Sequence, residues 1–369
     1  MAIIAHLDMD AFFAAIEERD NPQWRGFPIV VGADPKGGKG RGVVSTANYA
    51  ARKFGIHSAM PISQAWRAAQ EGKKNGGSFG LAQDKMETIF LPGSMRHYGD
   101  VSRNVMAIIE RHTNVVEQVS VDEAFIDLSF AGSFKKAEAI CRKIKNEIKK
   151  KERLTASIGL ASNKLVAKIA SDMQKPDGLT MVLPQQMEDF MKPLALRKIP
   201  GIGPKAQVQF ERKGIRIVTD ALKLTEADLY DMMGEWGLEL YEKLRGQGSD
   251  EVVTESEDAK SIGEQTTFDE DTLSIQLIAE SLELMAESII YSLKKDDFAS
   301  YRRVVLTVRF EDFKTVTRSH TLPESADTLA VLKREMMRML LPFLDRRENP
   351  EKKKIRLVGI RIEQLEPRT

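Results

Sequence analysis

The stretch "VSVDEAFIDL", residues 119–128, sets two adjacent carboxylates, Asp122 and Glu123, inside an apolar, strand-like run. Neighbours on a strand point to opposite faces, so one of the two acids is expected to face inward. A buried charge is costly unless it is neutralised, paired or bound to a cation. The first strand-like run, "AIIAHLDMD" (2–10), ends in a second acidic pair, Asp8 and Asp10. If the two runs lie side by side in one sheet, Asp8 meets Asp122 and Glu123. Oxygen donors gathered in this way suit Mg²⁺, and two such ions about 4 Å apart can clamp an in-line phosphoryl displacement. The competing reading makes each acid an exposed turn residue salt-bridged to a lysine.

A chain of 369 residues is too long for one core, so two to four domains are expected. A single cysteine, Cys141, excludes an intrachain disulfide framework and fits a reducing cytosol. The N-terminus lacks the basic start of a signal peptide, and no apolar run reaches membrane-spanning length. A cytoplasmic protein with no membrane association is therefore expected. The net charge of +1 hides segregation. Residues 135–175 carry 12 Lys/Arg against 4 acids, 220–287 carry 19 acids against 4 bases, and 346–361 carry 7 bases against 2 acids. Such blocks suit a polyanion touched by several surfaces, or simply solvated helix faces.

Along the chain, the first strand leads into a short helix stopped by Asn21-Pro22, a strand at 26–34, and a capped helix in "STANYAARKFG". By composition "EGKKNGGSFG" (71–80) reads as a loop. A helix at 100–112, strands around 115–129, a helix through Phe134, Ala137, Cys141, Ile144 and Ile148, and a strand at 155–161 suggest an α+β sheet with helices on one face. Residues 163–245 read as all helix, followed by an acidic linker to 260. The last block reads strand (261–268), long helix, strand (302–310), strand (313–321), helix (325–341), strand (354–363). This is the βαββαβ order of a separate ferredoxin-like domain.

Three segments supply what phosphate chemistry needs. Tyr49 and Arg52 share a helix face, where a guanidinium can fork onto phosphate oxygens. Lys175 precedes a Pro-Asp-Gly turn. Each alone also fits a surface ion pair or a solvated lysine. "KIPGIGPKAQVQFERKGI" (198–215) is more specific: a Pro-Gly-Ile-Gly hairpin between helical stretches, with a helix starting at Pro204 and Lys205 in its first turn. Its glycines admit close backbone approach, and a helix N-terminus favours phosphate.

These motifs resemble the Y-family DNA polymerases, in the DNA polymerase IV (kappa-like) branch. "HLDMDAFFAAIEERDNP", "RGVVSTANYAARKFG", "MPISQA", "VSVDEAFIDL", "SIGLASNKLVAKIASDMQKPDG", "PGIGPKA" and "KSIGEQTTF" occur in the family's order. The resemblance spans residues 2 to about 363. It implies an α+β, multi-domain right hand: a ferredoxin-like palm (1–10 and 78–166), small fingers (11–77), a helical thumb (167–245) with a helix-hairpin-helix near 199–214, a linker (246–260) and a βαββαβ little finger (261–369). It implies template-directed, low-fidelity addition of deoxynucleotides, also across damaged templates.

Carried over motif by motif, Asp8, Asp122 and Glu123 would be catalytic and would hold two Mg²⁺ ions, with Mn²⁺ able to substitute and the Met9 carbonyl a backbone ligand. Phe13 would be the steric gate against a 2′-hydroxyl, with Phe12 beside it. From composition alone, a double Phe on a short helix reads as core. Thr46, Tyr49, Arg52 and Lys175 would hold the triphosphate, and Gly201, Gly203 and Lys205 the duplex backbone. The partners implied are primer-template DNA and dNTPs, for a monomer. A sliding clamp is a further family partner, although "IRIEQLEPRT" lacks the apolar-aromatic clamp motif. Residues 71–88 are longer than the usual connection in relatives. Small residues Val43, Val44, Ser45 and Ala11 suggest an open roof over the nascent pair. The residues alone leave two rivals, a nucleotidyl cyclase and a non-catalytic DNA-binding module.

Overall fold

Strand β1 (Ile4–Met9) is buried on both of its faces, Ala5, Leu7 and Met9 on one and Ile4, His6 and Asp8 on the other, as a central strand covered on both sides is. The computed structural model describes residues 1–74, 87–255 and 258–368. The chain divides into two units, Met1–Gly32 with Val44–Met60 and Arg67–Ser256, and Ala33–Val43 with Pro61–Trp66 and Glu257–Thr369.

After β1 come α1 (Phe12–Asp20), β2 (Ile29–Gly32), β3 (Val44–Ala47), α2 (Tyr49–Arg52), α3 (Ile62–Lys74), β4 (Ile89–Leu91) and α4 (Met95–Glu110). Next are β5 (Val116–Gln118), β6 (Glu123–Asp127), α5 (Phe134–Lys151), β7 (Ala156–Ala161), α6 (Lys164–Ser171) and β8 (Leu179–Met181). The main sheet has the order β5-β6-β1-β7-β8, and a smaller sheet the order β3-β2-β4. Strand β1 is antiparallel to both neighbours, in a register that sets Asp8 opposite Glu123 and His6 opposite Gly159.

Alternation sorts the side chains. Ala5, Leu7 and Met9, with Ala124 and Ile126, pack against Val105 and Ile109 of α4 and Ile144 and Ile148 of α5. On the other face Ile4, Phe125 and Ala161 pack against Leu165 and Ile169 of α6. Helices therefore cover both faces rather than the single face expected: β1 and β7 are buried at both parities, with small residues Ser157, Gly159 and Ala161 on the face that α6 covers. Gly159 lets α6 come this close: a Cβ there would lie 2.0 Å from the Ala167 carbonyl oxygen.

Several local expectations shift. The stretch 163–245 is not all helix, since β8 pairs in parallel with β7; three residues are too few to show a period. Beyond it the helices are α7 (Met187–Met191), α8 (Pro204–Arg212), α9 (Val218–Ala221), α10 (Glu226–Met233) and α11 (Glu235–Leu244). In "STANYAARKFG", residues 45–47 belong to β3, and the helix starts only after Asn48, whose side chain accepts the Ala51 N–H. Helix α4 starts at Met95 rather than 100. Residues 71–74 finish α3 instead of opening a loop, while the remainder of the long 71–88 connection up to residue 86 lies outside the described residues.

In the second unit β9 (Ser261–Thr272), α12 (Ile275–Lys295), β10 (Phe298–Phe310), β11 (Thr315–Ala326), α13 (Leu329–Leu344) and β12 (Ile355–Pro367) give the expected βαββαβ order. The sheet is antiparallel, ordered β11-β10-β12-β9. Val304, Leu306 and Val308 pack with Ile278, Leu282 and Ile289 of α12 and Leu332 and Met336 of α13. Alternation leaves Arg303, Thr307 and Arg309 on the other face. The second helix begins later than 325 because β11 runs through Pro323, and Thr328 caps α13 by accepting the Val331 N–H. Among the described residues, no helix is long and apolar enough to cross a membrane.

Candidate active site

The acidic pair at 122–123 is not strand throughout. Strand β6 begins only at Glu123, and Asp122 lies in the turn before it. Ser120 shapes that turn. Its hydroxyl donates to Asp122 Oδ1 at 2.6 Å and accepts the Asp122 and Glu123 N–H groups at 3.3 and 3.1 Å. The Asp122 carbonyl accepts the Met9 N–H at 3.0 Å. Strict alternation would have parted the two acids; the turn instead places both half-buried at the end of β1 where Asp8 sits.

Each carboxylate has its own partner. Asp8 Oδ2 receives the Lys175 ammonium at 2.7 Å, and the same ammonium reaches Asp172 at 2.8 Å. Burial pushes the Asp8 carboxyl from its ordinary 3.8 up to about 7, against the pull of Lys175 and with help from Glu123. Burial works to lower Lys175, but Asp8 and Asp172 together hold it above its usual range. His6 and the Lys168 ammonium keep Glu123 well below the usual carboxylate range, against the opposing effect of burial. Of these two, Lys168 stands at hydrogen-bonding distance, 2.7 Å, whereas His6 Nε2 stands off at 3.8 Å. His6 is itself fully buried, which lowers its pKa, and its Nδ1 lies 2.9 Å from Ser171 Oγ.

Asp10 is different. It lies past the end of β1, is 4% exposed, and accepts Ser157 Oγ at 2.8 Å and the Asp177 N–H at 2.8 Å. It anchors the Lys175-Pro176-Asp177-Gly178 turn, which Lys145 also ties down through the Gly178 carbonyl at 2.7 Å. The two acids of "DMD" thus divide, one to the cavity and one to the scaffold.

A cavity of about 180 Å³ joins Asp8, Met9 and Asp122 with Thr46, Tyr49, Arg52 and Lys175. Arg52 Nε donates to the Ala47 carbonyl at 2.9 Å, and its guanidinium lies 4.7 Å from the Tyr49 ring centre. The Tyr49 hydroxyl approaches Asp10 at 3.4 Å, and burial with that carboxylate raises its pKa to about 12, so it remains a donor. Phe12 also lines the cavity but is 2% exposed and part of the core. Phe13 is half-buried, its ring stacked on Tyr98 with centres 4.4 Å apart and planes at 13°. The sharp passage from β1 to α1 goes through Ala11 at φ 47°, a left-handed conformation that costs an L-residue about 1–2 kcal/mol. Of the four small residues expected over the nascent pair, Val43 and Ser45 are exposed, whereas Val44 and Ala11 belong to the core.

Gly201, Gly203 and Lys205 lie in the hairpin before α8. Gly201 takes φ 100°, its carbonyl accepts the Gly203 N–H at 3.0 Å, and Gly203 is the N-cap of α8 with Pro204 behind it. Ile199 and Ile202 bury the hairpin in the core, and Lys205 is exposed. The element before the hairpin is a single 3₁₀ turn, Leu196–Lys198, rather than a full helix.

Among the described residues, no three of His, Cys, Asp and Glu converge as a metal cluster; Asp8 is paired with Lys175, Asp122 with Ser120 and Glu123 with Lys168. The donor set still fits a hard divalent cation: neighbouring carboxylates, one of them buried to the point of a pKa near 7, beside a backbone carbonyl. Sequence reasoning missed Ser120, His6, Lys168 and Asp172. Asp172 and Lys168 lie within the quoted "AKIASD", but nothing local separates a lysine on an acid from one in solvent.

Asp8 gives a pH prediction for the chelator-treated protein. Its folded pKa of about 7 exceeds the ordinary 3.8, so its contribution to stability falls as pH rises between those values. Asp8→Asn is expected to stabilise the fold more at about pH 8 than at about pH 5, by on the order of 2 kcal/mol. Urea unfolding at the two pH values measures this, and an equal effect at both would contradict it.

Residues 7–172 match the impB/mucB/samB family, and residues 259–369 match that family's C-terminal domain. DNA polymerase IV 2 of Methanosarcina mazei is 42% identical over 367 residues, 99% of this chain and 93% of that protein. DNA polymerase IV of Streptococcus gordonii is 39% identical over 320 residues, 86% of this chain and 85% of that one. Among solved structures, the Y-family DNA polymerase chimera Dbh-Dpo4-Dbh superposes with a TM-score of 0.80 at 27% identity, covering 98% of this chain and 99% of its own. An insertion ternary complex of Dbh DNA polymerase matches with a TM-score of 0.65 at 27% identity, covering 99% of both chains.

Proposed function

The chain belongs to the Y-family of DNA polymerases, in the DNA polymerase IV branch, and is a DNA-directed DNA polymerase; we propose that it extends a primer by two-metal phosphoryl transfer with low fidelity, including across damaged templates. The observation that carries the reading is the single cavity in which Asp8 and Asp122 face Arg52 and Lys175. Acids for cations and cations for phosphates in one small space are what a nucleotidyl transfer needs. A nucleotidyl cyclase would use similar acids but has no need of the hairpin at Gly201–Gly203.

Asp8, the Met9 carbonyl, Asp122 and Glu123 would hold two Mg²⁺ ions, with Mn²⁺ able to substitute. When bound, such a pair neutralises phosphate charge and activates the attacking hydroxyl. The rest is done by side chains. Arg52 and Lys175 attract the triphosphate, and Thr46 and Tyr49 add hydroxyl donors that fix its orientation. The Asp10-anchored turn sets where Lys175 can stand. Gly201, Gly203 and Lys205 contact the duplex backbone without reading bases. In this reading residues 1–10 and 78–166 are the palm, 11–77 the fingers, 167–245 the thumb and 261–369 the little finger. The exposed Ser45 leaves room above the nascent pair, the basis of the low fidelity.

Phe13 is the sugar gate: its ring cannot retreat, because Tyr98 stacks behind it and is pinned by a 2.7 Å hydrogen bond to Glu17. In primer extension with Mg²⁺, wild type is expected to use dNTPs, to insert single wrong dNTPs readily, and to refuse ribonucleotides. Phe13→Val is expected to relax sugar discrimination by about 10- to 100-fold, the size of a removed steric clash. No extension by either protein would sink the function, and unchanged discrimination would reduce Phe13 to a core residue.

A further inference from the structure

Helix α6 carries residues that take part in two places at once. Lys168 pairs with Glu123 at 2.7 Å, and Asp172 pairs at 2.8 Å with Lys175, the ammonium that also holds Asp8. Lys168 and Asp172, one turn apart, also line a second cavity of about 380 Å³, which the hairpin segment Arg197–Gly203 completes. Three cations line that cavity: Lys168, Arg197 and Lys198. Among the described residues, Lys168 is the one of the three that is tied to a carboxylate.

We infer that Lys168 is a positioning residue shared between the hairpin groove and Glu123. A backbone phosphate of primer-template DNA seated in the groove draws the ammonium away from the carboxylate and so releases Glu123 to the divalent cation. The inference rests on the reading of Asp8, Asp122 and Glu123 as metal ligands and of the hairpin as a duplex contact.

Three physical points support it. A lysine is a flexible point charge that can change partner without losing its hydrogen bonds, whereas a fixed guanidinium fork cannot do so as easily. An ammonium 2.7 Å from Glu123 repels any cation approaching the same oxygen, so the pair and the metal compete. Lys168 is about one-third exposed at its side chain, open enough to be reached from the groove. Competition of this kind is a coupling between two binding events, and it must act equally in both directions. Duplex DNA tightens metal binding, and metal tightens duplex binding.

The test is Mn²⁺ affinity of the full chain, read by electron paramagnetic resonance of the free ion, with and without a primer-template duplex whose own uptake is subtracted. For wild type, duplex is expected to tighten Mn²⁺ by about fivefold, the scale of a partly exposed ion pair. DNA-free Lys168→Met is expected to have that tighter affinity already, with duplex adding little. Lys168→Arg, whose guanidinium fork keeps the charge but leaves Glu123 less easily, is expected to keep the weak DNA-free affinity of wild type and to lose most of the tightening by duplex. Melting curves verify that each variant is folded. A Lys168→Met protein whose DNA-free affinity equals wild type would overturn the coupling. Failure of the underlying site reading looks different: Asp122→Asn would then leave Mn²⁺ binding unchanged in every state.

Discussion

Gly159→Ala is expected to lower the thermal midpoint by about 10 °C. A Cβ at this position would lie 2.0 Å from the Ala167 carbonyl oxygen and 2.4 Å from the Ser171 N–H nitrogen, both in the backbone of α6. Neither atom belongs to a flexible side chain, so the helix must move away from β7. Overpacking against backbone costs about 3 kcal/mol, the upper end of the usual range, and each kcal/mol shifts the midpoint by about 2–4 °C in a domain of this size. The displacement has a second effect. Gly159 lies opposite His6 in the β1–β7 register, and the helix that moves carries Lys168 and Ser171, the partners of Glu123 and His6. Synthesis is therefore expected to fall even at temperatures where the variant is folded. Scanning calorimetry and primer extension together check both parts, and a change below about 2 °C would show that α6 is not held where the backbone places it.

The sequence made the strongest part of this site legible because the relevant signals are local or pairwise. Two apolar runs that each carry a pair of acids bring them together if they lie as neighbouring strands, and Asp8 does lie opposite Glu123. The 3.6-residue period from Ile275 onward gave α12, and the βαββαβ order followed. Other features were hidden because their cause is far away in the chain. Asp10 looks like the twin of Asp8 until Ser157 and the Asp177 N–H claim it. Phe13 stacks on Tyr98, far along the chain, a contact that no local pattern announces. Lys168 looks like a solvated helix lysine until Glu123, 45 residues earlier, is found against it. Strands β4 and β8, three residues each, offered no period at all and exist because a neighbouring strand pairs with them.

The acids themselves give the most direct test. Asp122→Asn/Glu123→Gln keeps the size and most hydrogen bonds of both side chains, so Ser120 can still shape the turn, while removing two charges beside Asp8. What is lost is the ability to hold divalent cations against phosphate, a term worth about a thousandfold or more in rate. The measurement is primer extension on an undamaged primer-template with Mg²⁺ and all four dNTPs, wild type beside this variant, with duplex binding followed by fluorescence anisotropy. The account requires rapid extension by wild type, loss of about a thousandfold or more in the variant, and duplex affinity that is not weakened. Extension by the variant at the wild-type rate would contradict it, and would leave Asp122 and Glu123 as structural acids held by Ser120 and Lys168.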